Sequence, residues 1–306
     1  MSTIGFIGLG AMGGPIAGRL LASGHQVQGT NRTAAKAADL RTAGLIWRDT
    51  PREVAVAADV LFSMVADDAA LGAIASGPDG LLAGLRPGTV YVDMSTVSPR
   101  ASRDLAEQVR RRGADMLDAP VSGSVPAAAD GTLAIMAGGG ERAFHRVEPL
   151  LRELGRTVSY VGGNGQGLML KLAINVSLAA QTLALGESLL LAERGGIDPK
   201  LALGVMMTSS IGSPALQARG PLMLDLPAGA WFDVALMHKD IRLALDSGRA
   251  AGVPLPSARL ADRMLAVAAG LGYAHRDIAA LFDVLARLDR ASEEATGDRY
   301  EPTSTS

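Results

Sequence analysis

Lys171 and Asn175 stand four residues apart in GLMLKLAINVSLAAQ (167–181), a stretch that is otherwise largely apolar. On a helix, residues i and i+4 share one face. An apolar setting disfavours a charged amine, so Lys171 would trade its proton more readily near neutral pH. A general acid/base needs that property: when a C–OH carbon gives up a hydride, the hydroxyl proton must leave too. Asn175 would orient the amine or the oxygen. A lysine alone in such a helix reads more simply as a snorkelling side chain. The rest of the chain decides between these readings.

Near its start the chain reads TIGFIGLGAMGG (3–14). Gly8, Gly10 and Gly13 fit G-x-G-x-x-G, with Ala11 and Met12 between the last two. The motif lies between a strand pattern and a helix pattern. Gly8 allows a tight turn, Gly10 lets backbone approach a pyrophosphate, and Gly13 lets helix and strand pack closely. The helix N-terminus then offers unpaired N–H groups and a positive dipole end. This context predicts a dinucleotide site rather than a merely tight turn.

The second strand pattern ends at Asn31-Arg32-Thr33, where a carboxylate would usually hold a bare ribose. Asn31 and Thr33 can hydrogen-bond a phosphate and the Arg32 guanidinium can pair with it, so NADP (NADPH) is expected over NAD. The alternative is that Asn31 caps a helix and Arg32 is solvated. Two further strand ends point to the same crevice: MVADD (64–68), with Val65 and Ala66, and DMSTVSP (93–99), with Ser95 and Thr96. Ser98, before Pro99, reads as a helix cap, and Asp67 and Asp68 read as caps rather than acid/base groups.

Elements must hold these residues in place. Short apolar runs at 3–8, 26–31, 45–48, 60–65, 90–94, 115–121, 133–139 and 158–162 alternate with helical segments. Alternation of this kind predicts an α/β Rossmann-type, doubly wound parallel sheet over residues 1–163. From 164 to 291 the chain reads as an all-helical domain, with Asp198-Pro199 marking one helix start. A long helix over about 166–194 enters it, spanning about 42 Å at 1.5 Å per residue. The polar tail 292–306 lacks apolar periodicity and is expected to be disordered.

Of 306 residues, 48% are hydrophobic and 20% charged, as in an ordinary soluble chain. With 29 Lys and Arg against 31 Asp and Glu, the net charge of −2 argues against a nucleic-acid binder. There is no cysteine, which excludes disulfides and thiolate chemistry. The four histidines are scattered without ligand spacing, so no metal is expected. No secretory signal is visible, and the long apolar helix is interrupted by Lys171, Asn175, Gln181 and Glu187. A buried core helix, no membrane, and a cytoplasmic location are the expectation.

Four stretches together resemble the β-hydroxyacid dehydrogenase family: GFIGLGAMGGPIA (5–17), DAPVSGSVPAAADGTLAIMAGG (118–139), GNGQGLMLKLAIN (163–175) and FDVALMHKDIRLAL (232–245). Members include 3-hydroxyisobutyrate dehydrogenase, tartronate semialdehyde reductase and glyoxylate/succinic semialdehyde reductases. The resemblance implies an NAD(P)-dependent oxidoreductase acting on a small hydroxyacid or semialdehyde. It implies that Ser122 and Gly123 hold the substrate, Lys171 is the acid/base and Asn175 positions the substrate. It further implies that Thr96 lies against the nicotinamide ribose, Lys239 reaches the cofactor, and Asp240 braces the site. Ser124 stands where the family has a second glycine, which narrows the substrate pocket or adds a donor. A homodimer or homotetramer through the apolar helical half is also implied. Two alternatives are an imine reductase on the same fold, where Asp or Tyr usually replaces the lysine, and a non-catalytic cofactor-binding protein.

Overall fold

The computed structural model describes residues 3–296. They form two compact units that divide between Ile174 and Asn175, eleven residues later than the boundary expected at 163. The physical reason is that the first turns of the helix Gln166–Arg194 pack with the sheet, and Leu168 joins the apolar cluster on one of its faces.

The first unit is built on one nine-stranded sheet. Its strands are β1 (Thr3–Ile7), β2 (Gln26–Thr30), β3 (Ile46–Trp47), β4 (Val60–Ser63), β5 (Val90–Asp93), β6 (Asp115–Asp118), β7 (Val121–Ser122), β8 (Leu133–Gly139) and β9 (Gly155–Gly162). They run in the order β3-β2-β1-β4-β5-β6-β8-β7, with β9 also paired to β8. The block from β3 to β6 is wholly parallel. The order reverses between β1 and β4, and ligands bind open α/β sheets outside the strand ends at such a point.

Side-chain alternation covers both faces of this sheet. Phe6, Phe62, Val92 and Leu117 lie in one apolar cluster, while Leu61, Tyr91 and Met116 lie in the other. A period of two along each strand requires this division. Both faces being buried explains why the strands read as near-continuous apolar runs.

Two departures concern the expected parallel sheet. The run 115–121 is not one strand: Ala119-Pro120 separates β6 from β7, because proline has no N–H for a central ladder. In addition β8 is antiparallel to both β6 and β7. Only residues 123–132 link β7 to β8, including the short helix Val125–Asp130. A parallel crossover needs a dozen residues or more, so the chain must return antiparallel.

Beyond Asn175 the second unit is helical: the rest of Gln166–Arg194, then Pro199–Thr208, Pro214–Leu224, Val234–Ala251, Pro256–Ala268 and Leu281–Thr296. Asp198, Ser213 and Asp233 each cap a helix by accepting an N–H, that of Leu201, Leu216 and Leu236 respectively. The 29-residue helix Gln166–Arg194 is long and apolar enough to cross a membrane by length and composition alone. Leu172, Ala179, Leu183, Leu185 and Leu189 along it are nevertheless buried within the protein. The last helix runs to Thr296, five residues into the segment expected to be disordered; Ser292-Glu293-Glu294-Ala295 suits a helix even without an apolar face. Residues 297–306 of that expected tail lie outside the described residues.

Candidate active site

The phosphate loop joins β1 to the helix Gly13–Ala22. Its glycines are required for different reasons. Gly8 has φ +96, and a Cβ there would overlap the Met64 carbonyl. A Cβ on Gly13 would overlap the Gly8 carbonyl oxygen and reach 3.0 Å from the Phe6 ring. Gly10 differs, since a Cβ there meets nothing within 4 Å. The protein's own packing does not demand glycine at that position; close approach of a ligand does. The helix beyond has no side-chain cap and no acidic residue in its first turn. Its N–H groups and positive dipole end therefore suit a phosphate, and the residues fit a dinucleotide.

At the end of β2, Asn31 accepts from the Leu9 N–H (3.1 Å) and donates to the Thr33 carbonyl (3.0 Å). Its amide ties the phosphate loop to the next turn. Arg32 and Thr33 are exposed. Among the described residues the Arg32 guanidinium has no hydrogen-bond or ion-pair partner.

The ends of β4 and β5 are joined by a buried network that sequence reasoning did not single out. Asp93 Oδ1 accepts from the Ser63 hydroxyl (2.7 Å), the Ser95 hydroxyl (2.6 Å) and the Ser95 N–H (3.2 Å). The Tyr91 hydroxyl lies 2.7 Å from Ser63 Oγ. Burial, and then the Asp93 charge, push the Tyr91 hydroxyl well above its ordinary range. The Ser95 hydroxyl in turn accepts from the Val65 N–H (2.9 Å). The two loops expected to meet the cofactor, at Val65-Ala66 and Ser95-Thr96, are thus fastened to each other. Ser98 caps a helix, as expected, by accepting from the Ala101 N–H (3.1 Å). Asp67 caps the helix Asp68–Ala75, and Asp68 accepts from the Ser98 N–H (2.7 Å), a second tie between the loops. An acid inside the apolar run VYVD was a legible signal, since a buried carboxylate must find donors.

Asp118 ends β6. Its Oδ1 accepts from the Gly165 N–H (2.7 Å) and its Oδ2 from the Leu168 N–H (3.1 Å), at the start of the helix that carries Lys171. Burial raises its carboxyl from 3.8 to about 7, although the N–H bonds from Gly165 and Leu168 pull it down. Ser122 follows on β7, half-buried. Gly123 has φ +141, and a Cβ there would reach 2.8 Å from Leu133. Ser124 precedes the helix Val125–Asp130 without capping it, and its extended backbone makes no demand for glycine. Among the described residues neither the Ser122 nor the Ser124 hydroxyl makes a hydrogen bond.

Lys171 is half-buried, and the fully buried Asn175 lies one turn further along the same helix. Asn175 Nδ2 donates to Asp240 Oδ2 (2.6 Å), while Asp240 Oδ1 pairs with Lys239 Nζ (2.9 Å). Asp240 therefore joins Asn175 to Lys239. The Asn175 amide oxygen is buried and accepts no hydrogen bond among the described residues.

Comparison with known proteins agrees with this geometry. The NAD binding domain of 6-phosphogluconate dehydrogenase matches residues 3–162. The NAD-binding domain of NADP-dependent 3-hydroxyisobutyrate dehydrogenase matches residues 165–285. The chain is 38% identical over 283 residues to 2-hydroxy-3-oxopropionate reductase of Escherichia coli, covering 92% of this chain and 96% of the relative. The chain belongs to the β-hydroxyacid dehydrogenase family. Among solved structures of the family, Mycobacterium tuberculosis 3-hydroxyisobutyrate dehydrogenase with L-serine is similar at 31% identity and TM-score 0.82, covering 93% of this chain and 99% of that one. An imine reductase from Pseudomonas sp. shares the fold alone, at 21% identity and TM-score 0.63 over 93% of this chain and 99% of that one. The protein is an NAD(P)-dependent oxidoreductase of the hydroxyacid/semialdehyde type.

Proposed function

We propose that the enzyme works as an NADPH-preferring semialdehyde reductase and 3-hydroxyacid dehydrogenase, with Lys171 as general acid/base. The observation that carries this reading is the placement of Asn175. It is fully buried, held by Asp240 at 2.6 Å, and one helical turn from Lys171. Such a brace is out of proportion for a merely snorkelling lysine.

A bound nicotinamide supplies the hydride in reduction and takes it up in oxidation. The Ser122 hydroxyl and the Gly123 backbone hold the substrate carboxylate. As the carbonyl carbon gains hydride, the Lys171 ammonium gives its proton to the carbonyl oxygen; in oxidation the amine takes the hydroxyl proton back. Asn175 keeps one amide N–H on Asp240, so its oxygen is left to accept from the Lys171 ammonium or the substrate hydroxyl. Arg32, exposed at the end of β2, pairs with the 2′-phosphate that distinguishes NADPH from NADH. Thr96 and Lys239 are further residues that would hold the cofactor. Ser124 adds a hydroxyl beside Ser122 and favours a substrate with a further polar group.

The enzyme acts on a small molecule in the cytoplasm, without nucleic acid or membrane. It assembles as a homodimer or homotetramer through the helical unit, where Leu191, Leu201, Val205 and Ile211 are exposed. Lysine at position 171 speaks against the imine reductase reading. An NADPH-oxidation screen over glyoxylate, succinic, tartronate and methylmalonate semialdehydes and a cyclic imine panel identifies the substrate. Lys171→Ala should then lower kcat about 10²–10⁴-fold while NADPH affinity holds. Equal loss of both would mean that Lys171 is structural.

A further inference from the structure

We propose that Asp118 is a positioning residue for catalysis: its carboxylate registers the Lys171-bearing helix against the strand end that leads into Ser122. The inference rests on the reading of Lys171 as acid/base. Asp118 is paired with Asp93 on β5 and with Gly138 on β8, so it stands at the end of a central strand. Four residues on is Ser122, and the intervening Ala119-Pro120 leaves the chain little freedom. From the same residue the side chain reaches forward by 47 and 50 positions to the N–H groups of Gly165 and Leu168. Leu168 lies three residues before Lys171, about 4.5 Å along the axis. One carboxylate thus meets the helix that presents the amine and belongs to the strand that presents the serine.

Two observations show that the fit is built. A Cβ on Gly138 would come 3.0 Å from Asp118 Oδ2, and one on Gly167 would come 2.9 Å from it. These glycines first let the helix start close on β8, since a Cβ on Gly167 would overlap the Met136 carbonyl oxygen, and the Asp118 carboxylate lies against that same close approach. The two acceptor oxygens also match two donors among the four N–H groups that a helix start leaves unpaired. Serine or asparagine is the common residue for that task and offers one acceptor at much less desolvation cost. A wholly buried carboxylate, with its ionisation displaced to about 7, is a costly cap. Capping alone does not explain its presence; fixing two directions of the helix start does.

The test uses the full-length enzyme, 2-hydroxy-3-oxopropionate as substrate probe, and active sites titrated with NADPH. Asp118→Asn keeps the shape but leaves one acceptor and turns an amide toward a donor. Expected are a kcat 10- to 100-fold lower per NADPH-titrated site, an NADPH Kd within twofold of wild type, and no rescue by Asp118→Glu, whose extra methylene shifts the helix start. A kcat within twofold of wild type would overturn the proposal. So would parallel loss of kcat and NADPH affinity, the mark of a general structural role. If Asp118→Asn does not fold, Asp118→Ser is used instead; it offers one acceptor on a shorter side chain and must show the same split between kcat and Kd. Lys171→Ala separates the failures. If that variant turns over normally, the acid/base reading itself falls. If it is inactive while Asp118→Asn is active, only the role of Asp118 falls.

Discussion

Gly10→Ala and Gly13→Ala change the same phosphate loop by one methyl each, and the structure assigns them opposite consequences. At Gly10 the new Cβ has no protein atom within 4 Å, and φ is not in the left-handed region. Folding stability should therefore stay within about 0.5 kcal/mol of wild type. The methyl would instead stand where a pyrophosphate must approach the backbone, so NADPH affinity should fall at least about tenfold, or about 1.4 kcal/mol. At Gly13 the new Cβ overlaps the Gly8 carbonyl oxygen and lies 3.0 Å from the Phe6 ring, against 3.4–4 Å for ordinary contact. The helix start has to withdraw from the strand, at a cost of about 1–3 kcal/mol. Urea unfolding of the apo proteins measures the first quantity and fluorescence titration with NADPH the second. Wild-type NADPH affinity in Gly10→Ala would refute the phosphate-loop assignment. Wild-type stability in Gly13→Ala would refute the packing argument.

Three further outcomes are expected. Arg32→Ala should lower kcat/KM with NADPH more than with NADH, and a wild-type preference for NADH would remove the role given to Arg32. Asp118 is neutral longer in the folded protein than in the unfolded chain, because burial raises it from 3.8 to about 7. The unfolded state gains from ionisation first, so stability falls by about 4 kcal/mol between about pH 4 and 7 and then levels. Asp118→Asn should remove that slope, and a wild-type-minus-variant difference that is flat from pH 4.5 to 8 in urea melts would contradict it. Asp277, fully buried, accepts from Arg219 Nη1 on both oxygens at 2.6 Å and from the Trp231 N–H at 2.9 Å. Asp277→Ala strands the Arg219 charge and should destabilise the protein by about 3–5 kcal/mol in the same melts; a change under 1 kcal/mol, about the value of an exposed pair, would show the pair to be solvated.

Much of the candidate site was legible because its signals are local. Gly8, Gly10 and Gly13 sit within six residues, and Lys171 and Asn175 within one helical turn. The caps at Ser98 and Asp198 were readable for the same reason: each donor lies three residues from its acceptor. Less was legible where a residue's partner is distant. Ser95 was placed at the crevice by its strand end, yet that its hydroxyl bonds Asp93 and receives the Val65 N–H from thirty residues away was not readable there. The bond by which the Asn31 amide holds Leu9, twenty-two residues earlier, was not readable from the strand end alone. The expected parallel, doubly wound sheet holds from β3 to β6 and gives way at β8, where the short connection 123–132 outweighed the alternation of the first half.

The sequence by itself determined the α/β-then-helical order, the phosphate loop, and the lysine and serine proposed to carry the chemistry. Each of these depends on residue type and near-neighbour spacing, which backbone sterics and helix periodicity convert directly into structure. Only the tertiary structure decided which donors the buried acids Asp93, Asp118 and Asp240 would meet. A carboxylate removed from water must find N–H or O–H groups, and any of several distant segments could supply them. The pairing of β6 with β8 and the seating of the helix start against the sheet bring Gly165 and Leu168 to Asp118.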